Sequence, residues 1–136
     1  MQIADITIVP VPSENRSAYL EFSRRMAAVY LEYGATRVED YWQSSAPVQQ
    51  TDFHVEGAPY GPDELRSLAS LVGARDAESV VVTVMTWPSR EARDRGVRAA
   101  SQDPRVVDTI HEEPVFDGGR VSGDAFELIL ALEGEA

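Results

Sequence analysis

The stretch SVVVTVMTWPSREARDRGVRAAS, residues 79–101, decides the fold. Ser79 to Trp87 is β-branched and apolar on both sides of a period-two pattern, as in a central strand buried on both faces. Pro88 and Ser89 close that strand and open a helix, which runs from Arg90 with a weak point at Gly96. A strand passing directly into a helix is half of a β-α-β unit, so the flanking sequence should supply its partners.

Working outward, QIADITIV at 2–9 reads as a strand that Pro10 and Pro12 stop. In 13–34, Ser13 is placed as an N-cap, Tyr19, Phe22, Met26, Val29 and Tyr33 recur at helical spacing, and Gly34 ends the helix. ATRVEDYWQS at 35–44 resumes period two, with Arg37, Glu39, Tyr41 and Gln43 on one face and Thr36, Val38, Asp40 and Trp42 on the other. Residues 46–78 form a long connection, whose stretch PDELRSLASLVG carries a short helix starting at Pro62. DPRVVDTIHEE adds a turn of helix near Pro104, and DAFELILAL at 124–132 is the last strand.

The order strand, helix, strand, connection, strand, helix, strand makes two split β-α-β units. With right-handed crossovers this predicts an α+β, ferredoxin-like domain over 1–136, a four-stranded antiparallel sheet with both long helices on one face. The strands at 79–87 and 124–132 are apolar on both sides, so the uncovered face calls for a second copy packed sheet to sheet in a twofold homodimer.

Composition removes several chemistries. The chain of 136 residues has no cysteine, excluding disulfides, thiolate catalysis and cysteine-held metals. All twelve basic residues are arginine, so lysine Schiff bases and a P-loop lysine are excluded too. A net charge of −11 repels a phosphate backbone, and Arg90, Arg93, Arg95 and Arg98 are interleaved with Glu91 and Asp94, so no nucleic-acid partner is expected. No apolar run is long enough to span a membrane, and the N-terminus carries Asp5 with no basic stretch, which points to the cytoplasm.

Three stretches carry a family likeness: VPVPSENRSAYLEFSRRMAAVYLEYGA, then VVVTVMTWPSREARDRG followed by DPR, then FDGGRVSGDAFELIL. Together they resemble the domain-of-unknown-function 1428 family, of the dimeric α/β-barrel superfamily. The most specific piece is Phe116, Asp117, Gly118 and Arg120 ahead of a strand bearing Phe126 and Glu127. The connection at about 46–78 departs from the pattern, lacking a short acidic loop and an SFP-like turn, so divergence in specificity is expected there. The resemblance implies the fold and a dimer but no set activity. The wider superfamily includes cofactor-independent monooxygenases, cyclases and isomerases that work in the cavity between sheet and helices.

The glycines of VFDGGRVSGDAFELIL do not make a phosphate loop, because they precede a strand rather than open a helix. Gly118 and Gly119 are expected at positive φ after Asp117, and Gly123 at a bend or bulge. Arg120 is a candidate anion clamp at a cavity mouth.

TDFHVEG puts Asp52, His54 and Glu56 at alternating positions, so an extended chain would project them together, with a carboxylate orienting His54 as a base. The competing reading is a polar loop of unrelated side chains. His111, between Asp108 and Glu112, is read as a helix-end or solvent residue. Arg37, Glu39 and Tyr41 either face a cavity, gripping an anionic oxygen and shuttling a proton, or form a polar rim of the dimer interface. Trp42, Trp87, Tyr19 and Phe22 either fill the core or line a pocket for a flat substrate.

These readings give a small-molecule-binding protein that transforms an apolar or aromatic metabolite by proton chemistry, with no organic cofactor and no metal. His54, Asp52, Glu39 and Tyr41 would be its catalytic groups. The alternative is a non-catalytic ligand-binding or scaffold dimer.

Overall fold

The computed structural model describes residues 1–135. Strand β1 (Ile3–Pro12) leads through a short 3-10 turn to helix α1 (Arg16–Glu32), and β2 (Arg37–Trp42) returns along the sheet. A connection with 3-10 turns at Gln50–Phe53 and Pro62–Glu64 and a one-turn helix α2 (Leu68–Leu71) leads to β3 (Glu78–Trp87). Helix α3 (Arg90–Gln102), the one-turn α4 (Pro104–Val107) and β4 (Ser122–Glu127) complete the fold. The sheet order is β2-β3-β1-β4 with every pair antiparallel, the ferredoxin-like arrangement.

Strict alternation assigns the faces. Ile3, Asp5, Thr7, Val9 and Val11 of β1 sit level with Trp87, Met85, Thr83, Val81 and Ser79 of β3. This is the helix side, where Val9, Val11, Val81 and Tyr19 form one buried cluster and Ile3, Ala35 and Trp87 another. On the opposite, open face, Ile6, Ile8, Val82 and Val84 are only half-buried and Phe126 is exposed.

Several local expectations are corrected. Strand β1 runs on to Pro12 because both prolines turn their nitrogens away from β3. The Ser13 amide donates to Ala77 O at 2.8 Å, so residues 10 and 12 face the β4 side, where pairing stops at Ile8. Ser13 does not cap α1: its hydroxyl pairs with Ser79 Oγ at 2.7 Å, and Asn15 holds the N-cap position while its amide donates to Val115 O. The helix expected from Pro62 breaks into the turn Pro62–Glu64 and α2, whose N-cap Ser67 accepts from the Ser70 amide at 3.0 Å. Strand β4 ends at Glu127 rather than 132, since beyond it the neighbouring β1 has run out at Ile3. Leu128 still donates to Gln2 O, but Ile129, Leu130 and Leu132 are exposed.

The glycines also differ from expectation. Gly118 and Gly119 do not take positive φ; they start a 3-10 turn whose Gly119 amide Asp117 caps at 2.9 Å. Gly123 stays in register opposite Thr7, and a Cβ there would lie 2.8 Å from Thr7 Cγ2, so close approach rather than a bulge requires it. Gly96, read as a weak point, is needed: a Cβ would meet Trp87 at 2.3 Å.

Candidate functional site

Alternation on the sheet and helical spacing on α3 converge on one cavity of about 630 Å³ between sheet and helices. Its floor is Asp5 and Thr7 from β1, Thr83 and Met85 from β3, and Gly123 and Ala125 from β4. Its roof is Tyr30 from α1, with Arg90, Arg93 and Val97, which recur at helical spacing on the inner face of α3. Ser89 caps α3 by accepting from the Ala92 amide at 3.1 Å, which fixes where those side chains start.

Asp5 is the polar centre. A carboxylate at the helix-facing register of a central strand needs donors, and it has them. Trp87 Nε1 donates to Oδ2 at 3.0 Å, and Arg93 Nε donates to both oxygens at 3.0 and 3.2 Å. Arg93 also reaches Asp94 at 3.1 Å, and Asp94 in turn accepts from Arg90 at 3.0 Å, so the two guanidiniums are linked through one carboxylate. Those arginines hold the Asp94 carboxyl below its ordinary pKa, Arg90 first and Arg93 second. Burial, and then the charge of Asp5, raises the pKa of the Tyr30 phenol, keeping it a neutral hydrogen-bond donor. A fixed carboxylate, a protonated phenol and two cations beside Met85, Val97 and Ala125 can accept a proton, donate one, and hold an oxyanion.

Of the residues singled out from the sequence, Trp87 reaches this centre by orienting Asp5, while itself fully buried. Arg37, Glu39 and Tyr41 point to the open face, as their register opposite Thr86, Val84 and Val82 requires. There Arg37 pairs with Glu39 at 3.0 Å, and Tyr41 Oη donates to Glu39 at 3.3 Å. Trp42 and Asp40 face the helices instead, Asp40 accepting from Ser23 and Thr83 and Trp42 packing near Tyr19. Tyr19 and Phe22 both pack on Phe116, in the core cluster.

Asp52, His54 and Glu56 do not share one side of an extended chain, because Gln50–Phe53 is a 3-10 turn. Asp52 folds back to accept from the Gln49 amide at 3.3 Å. His54 lies with its ring 5.2 Å from that of Tyr60, and together with Tyr41 and Trp42 it lines a second cavity of about 500 Å³ under the connection. His111, beyond α4 and next to the Glu112 that binds Arg25 of α1, belongs to the helix side, so the sheet separates the two histidines. Arg120 is committed to Glu78 at 2.6 and 3.0 Å and to Gly73 O at 2.9 Å. With that guanidinium first and the Arg75 amide second, the Glu78 carboxyl is held down to about 2.

Asp5, Tyr30 and Arg93 were not singled out from the sequence. The readable signal for Asp5 was a lone carboxylate in register with Ile3 and Val9 on the buried side of a strand. Nothing local distinguished Arg93 from its solvated neighbours Arg95 and Arg98. Among the described residues no three His, Asp or Glu side chains gather as a metal-ligand set, and no helix is long and apolar enough to cross a membrane.

Comparison with known proteins agrees with this architecture. Residues 3–118, a span that includes the connection, match the family described as "Protein of unknown function (DUF1428)". The chain is 30% identical over 131 residues to "Uncharacterized protein YbaA" of Escherichia coli K12, covering 96% of this chain and 98% of that one, and equally to its counterpart from Shigella flexneri. Among solved structures, Rv0793 from Mycobacterium tuberculosis superposes with a TM-score of 0.51 at 13% identity, covering 98% of this chain and all of that one. SnoaB from Streptomyces nogalater, described as a cofactor-independent oxygenase and solved as a mutant, superposes with a TM-score of 0.50 at 14% identity, covering 98% of each chain. At that identity both matches speak to fold.

Proposed function

The chain belongs to the DUF1428 family, and on that premise we propose that it binds a small, largely apolar metabolite in the sheet–helix cavity and moves a proton on it without an organic cofactor. One observation carries the proposal: Asp5, Arg93 and Tyr30 converge at one polar corner of a cavity whose other walls include Met85, Val97 and Ala125. A ligand with an enolisable carbonyl or a phenol would lay its carbon frame on those apolar walls. The Asp5 carboxylate would take the proton from carbon or oxygen, Arg93 and Arg90 would hold the resulting anion, and Tyr30 would donate to the same oxygen. The oxygenase description of SnoaB, a protein of the same fold, is consistent with such cofactor-free chemistry. In this proposal two chains pair across the part of the open sheet face that the connection leaves bare, and the helix-side cavity stays within each.

A second reading, a ligand-binding dimer without catalysis, is favoured by one feature. Both Asp5 oxygens already accept hydrogen bonds from Trp87 and Arg93, so the carboxylate serves as a structural tie between β1, β3 and α3.

The two separate with 2-tetralone, an apolar ketone with acidic α C–H bonds. Calorimetric titration reports binding, and deuterium incorporation at those carbons followed by NMR reports proton abstraction. Saturable binding with exchange above the buffer rate is expected, both lost in Val97→Trp, which fills the cavity, and exchange alone lost in Asp5→Asn. Binding without exchange supports the second reading. Binding that Val97→Trp leaves intact removes the cavity from both.

A further inference from the structure

We infer that the cavity under the connection is a second ligand site, on the opposite face of the sheet from Asp5, built for an amphipathic monocarboxylate of medium chain length. The connection folds back over the β2 and β3 end of the open face and borders an open cavity of about 500 Å³. Its sheet-side wall is Tyr41, Val80 and Val82, and its outer wall includes Val48, Phe53 and Leu68. Phe53 is 70% exposed, Val48 56% and Leu68 50%, so a surface loop carries large apolar side chains beside a space that none of the described residues fills. Such exposure is unfavourable in proportion to its area and is relieved when an apolar chain covers it.

Charge selects the other end of the ligand. The protein has 23 acidic residues against 12 basic ones, yet among the described residues no Asp or Glu lines this cavity. Its charged and titratable members are Arg66, His54 and Tyr41, with Gln43, Gln50 and Ser67 as neutral polar groups. Arg66, like Arg16, Arg24, Arg75, Arg95 and Arg98, has no carboxylate partner within 4.0 Å among the described residues, and it is the arginine of that group that lines this cavity. An unmatched guanidinium at the rim of an apolar cavity, in a protein that otherwise repels anions, is complementary to one planar carboxylate through two parallel hydrogen bonds. The hydrocarbon tail would lie between Phe53 and Val82. This site uses the even-numbered side of β3 and the Asp5 cavity the odd-numbered side, so each can be blocked without touching the other.

The test is calorimetric titration of the whole protein with decanoate below its micelle concentration, with decanol and decyl phosphate as matched probes. Saturable binding of decanoate is expected, tighter than decanol, and weakened about tenfold by Arg66→Gln, the scale of one charge-assisted hydrogen bond. Leu68→Glu, at a half-exposed position, adds a like charge to the lining and should abolish binding while circular dichroism stays native. Val97→Trp, which closes the other cavity, should leave decanoate affinity unchanged. Equal affinity for decanol, tighter binding of decyl phosphate, or an Arg66→Gln variant with unaltered affinity overturns the assignment, as does the absence of saturable binding.

Discussion

Replacing Gly96 by alanine tests how the helix layer is seated on the sheet. In most helices this substitution stabilises by about 1 kcal/mol, because alanine has the better intrinsic propensity. Here the added Cβ would lie 2.3 Å from Trp87 Cζ3, 2.5 Å from Cη2 and 2.7 Å from the Tyr33 carbonyl oxygen. Carbon atoms rest at roughly 3.5–4.0 Å, so the indole or α3 must retreat by more than about 1 Å. Trp87 has no room to do so, being fully buried between Ile3 and Ala35 and tied to Asp5 through Nε1. Overpacking of this kind costs about 1–3 kcal/mol, and contact with a backbone atom favours the upper end, leaving a net loss of about 2 kcal/mol after the propensity gain. Urea unfolding followed by tryptophan fluorescence should show a midpoint lower by about 1 M. Gly118→Ala, where no atom lies within 4 Å of an added Cβ, should stay within about 0.5 kcal/mol of the parent. A Gly96→Ala protein as stable as the parent would refute the close seating of α3 on Trp87. The Asp5–Arg93 geometry derived from that seating would then also fail.

Two further outcomes follow from the packing and the charges. The Glu78 carboxyl sits at about 2 in the folded protein against an ordinary 4.5, so its pairing with Arg120 stabilises above that ordinary value and is lost as pH falls toward 2. Arg120→Gln should therefore be less stable than the parent at neutral pH, with the gap closing across that acidic window, and thermal melts that keep a constant gap would contradict it. If paired sheets cover the open face, light scattering should give twice the mass of one chain at micromolar concentration. Val84→Glu, which sets a second carboxylate opposite Glu39, should then halve that mass without loss of secondary structure. A parent protein that is already monomeric would remove the pairing.

The order of elements was legible because its signals are local. Ser79 to Trp87 announces a buried strand by composition alone, Ser89 caps the helix it was expected to open, and the stripe from Tyr19 to Val29 buries the face of α1 that its spacing marks. Local reading failed where a residue's state depends on a distant neighbour. Pro10 and Pro12 stay in a strand because β4 stops short of them. Gly96 is indispensable because Trp87 lies beneath it.

The candidate site was the least legible part for the same reason. Asp5 and Arg93 lie 88 positions apart, and Asp5 and Trp87 lie 82 apart; no periodicity within either segment records that they meet. The identities of the four strands and two long helices, and which side chains share a face, were determined by the sequence itself, since alternation and helical spacing are properties of short peptides. The tertiary structure alone decided that Arg37, Glu39 and Tyr41 look away from the helices, that the connection folds over their side of the sheet, and that a lone carboxylate on β1 meets an arginine from α3. Those outcomes depend on strand order and on packing between segments remote in the chain, where the free energy of contact is shared by partners that no single stretch of sequence contains.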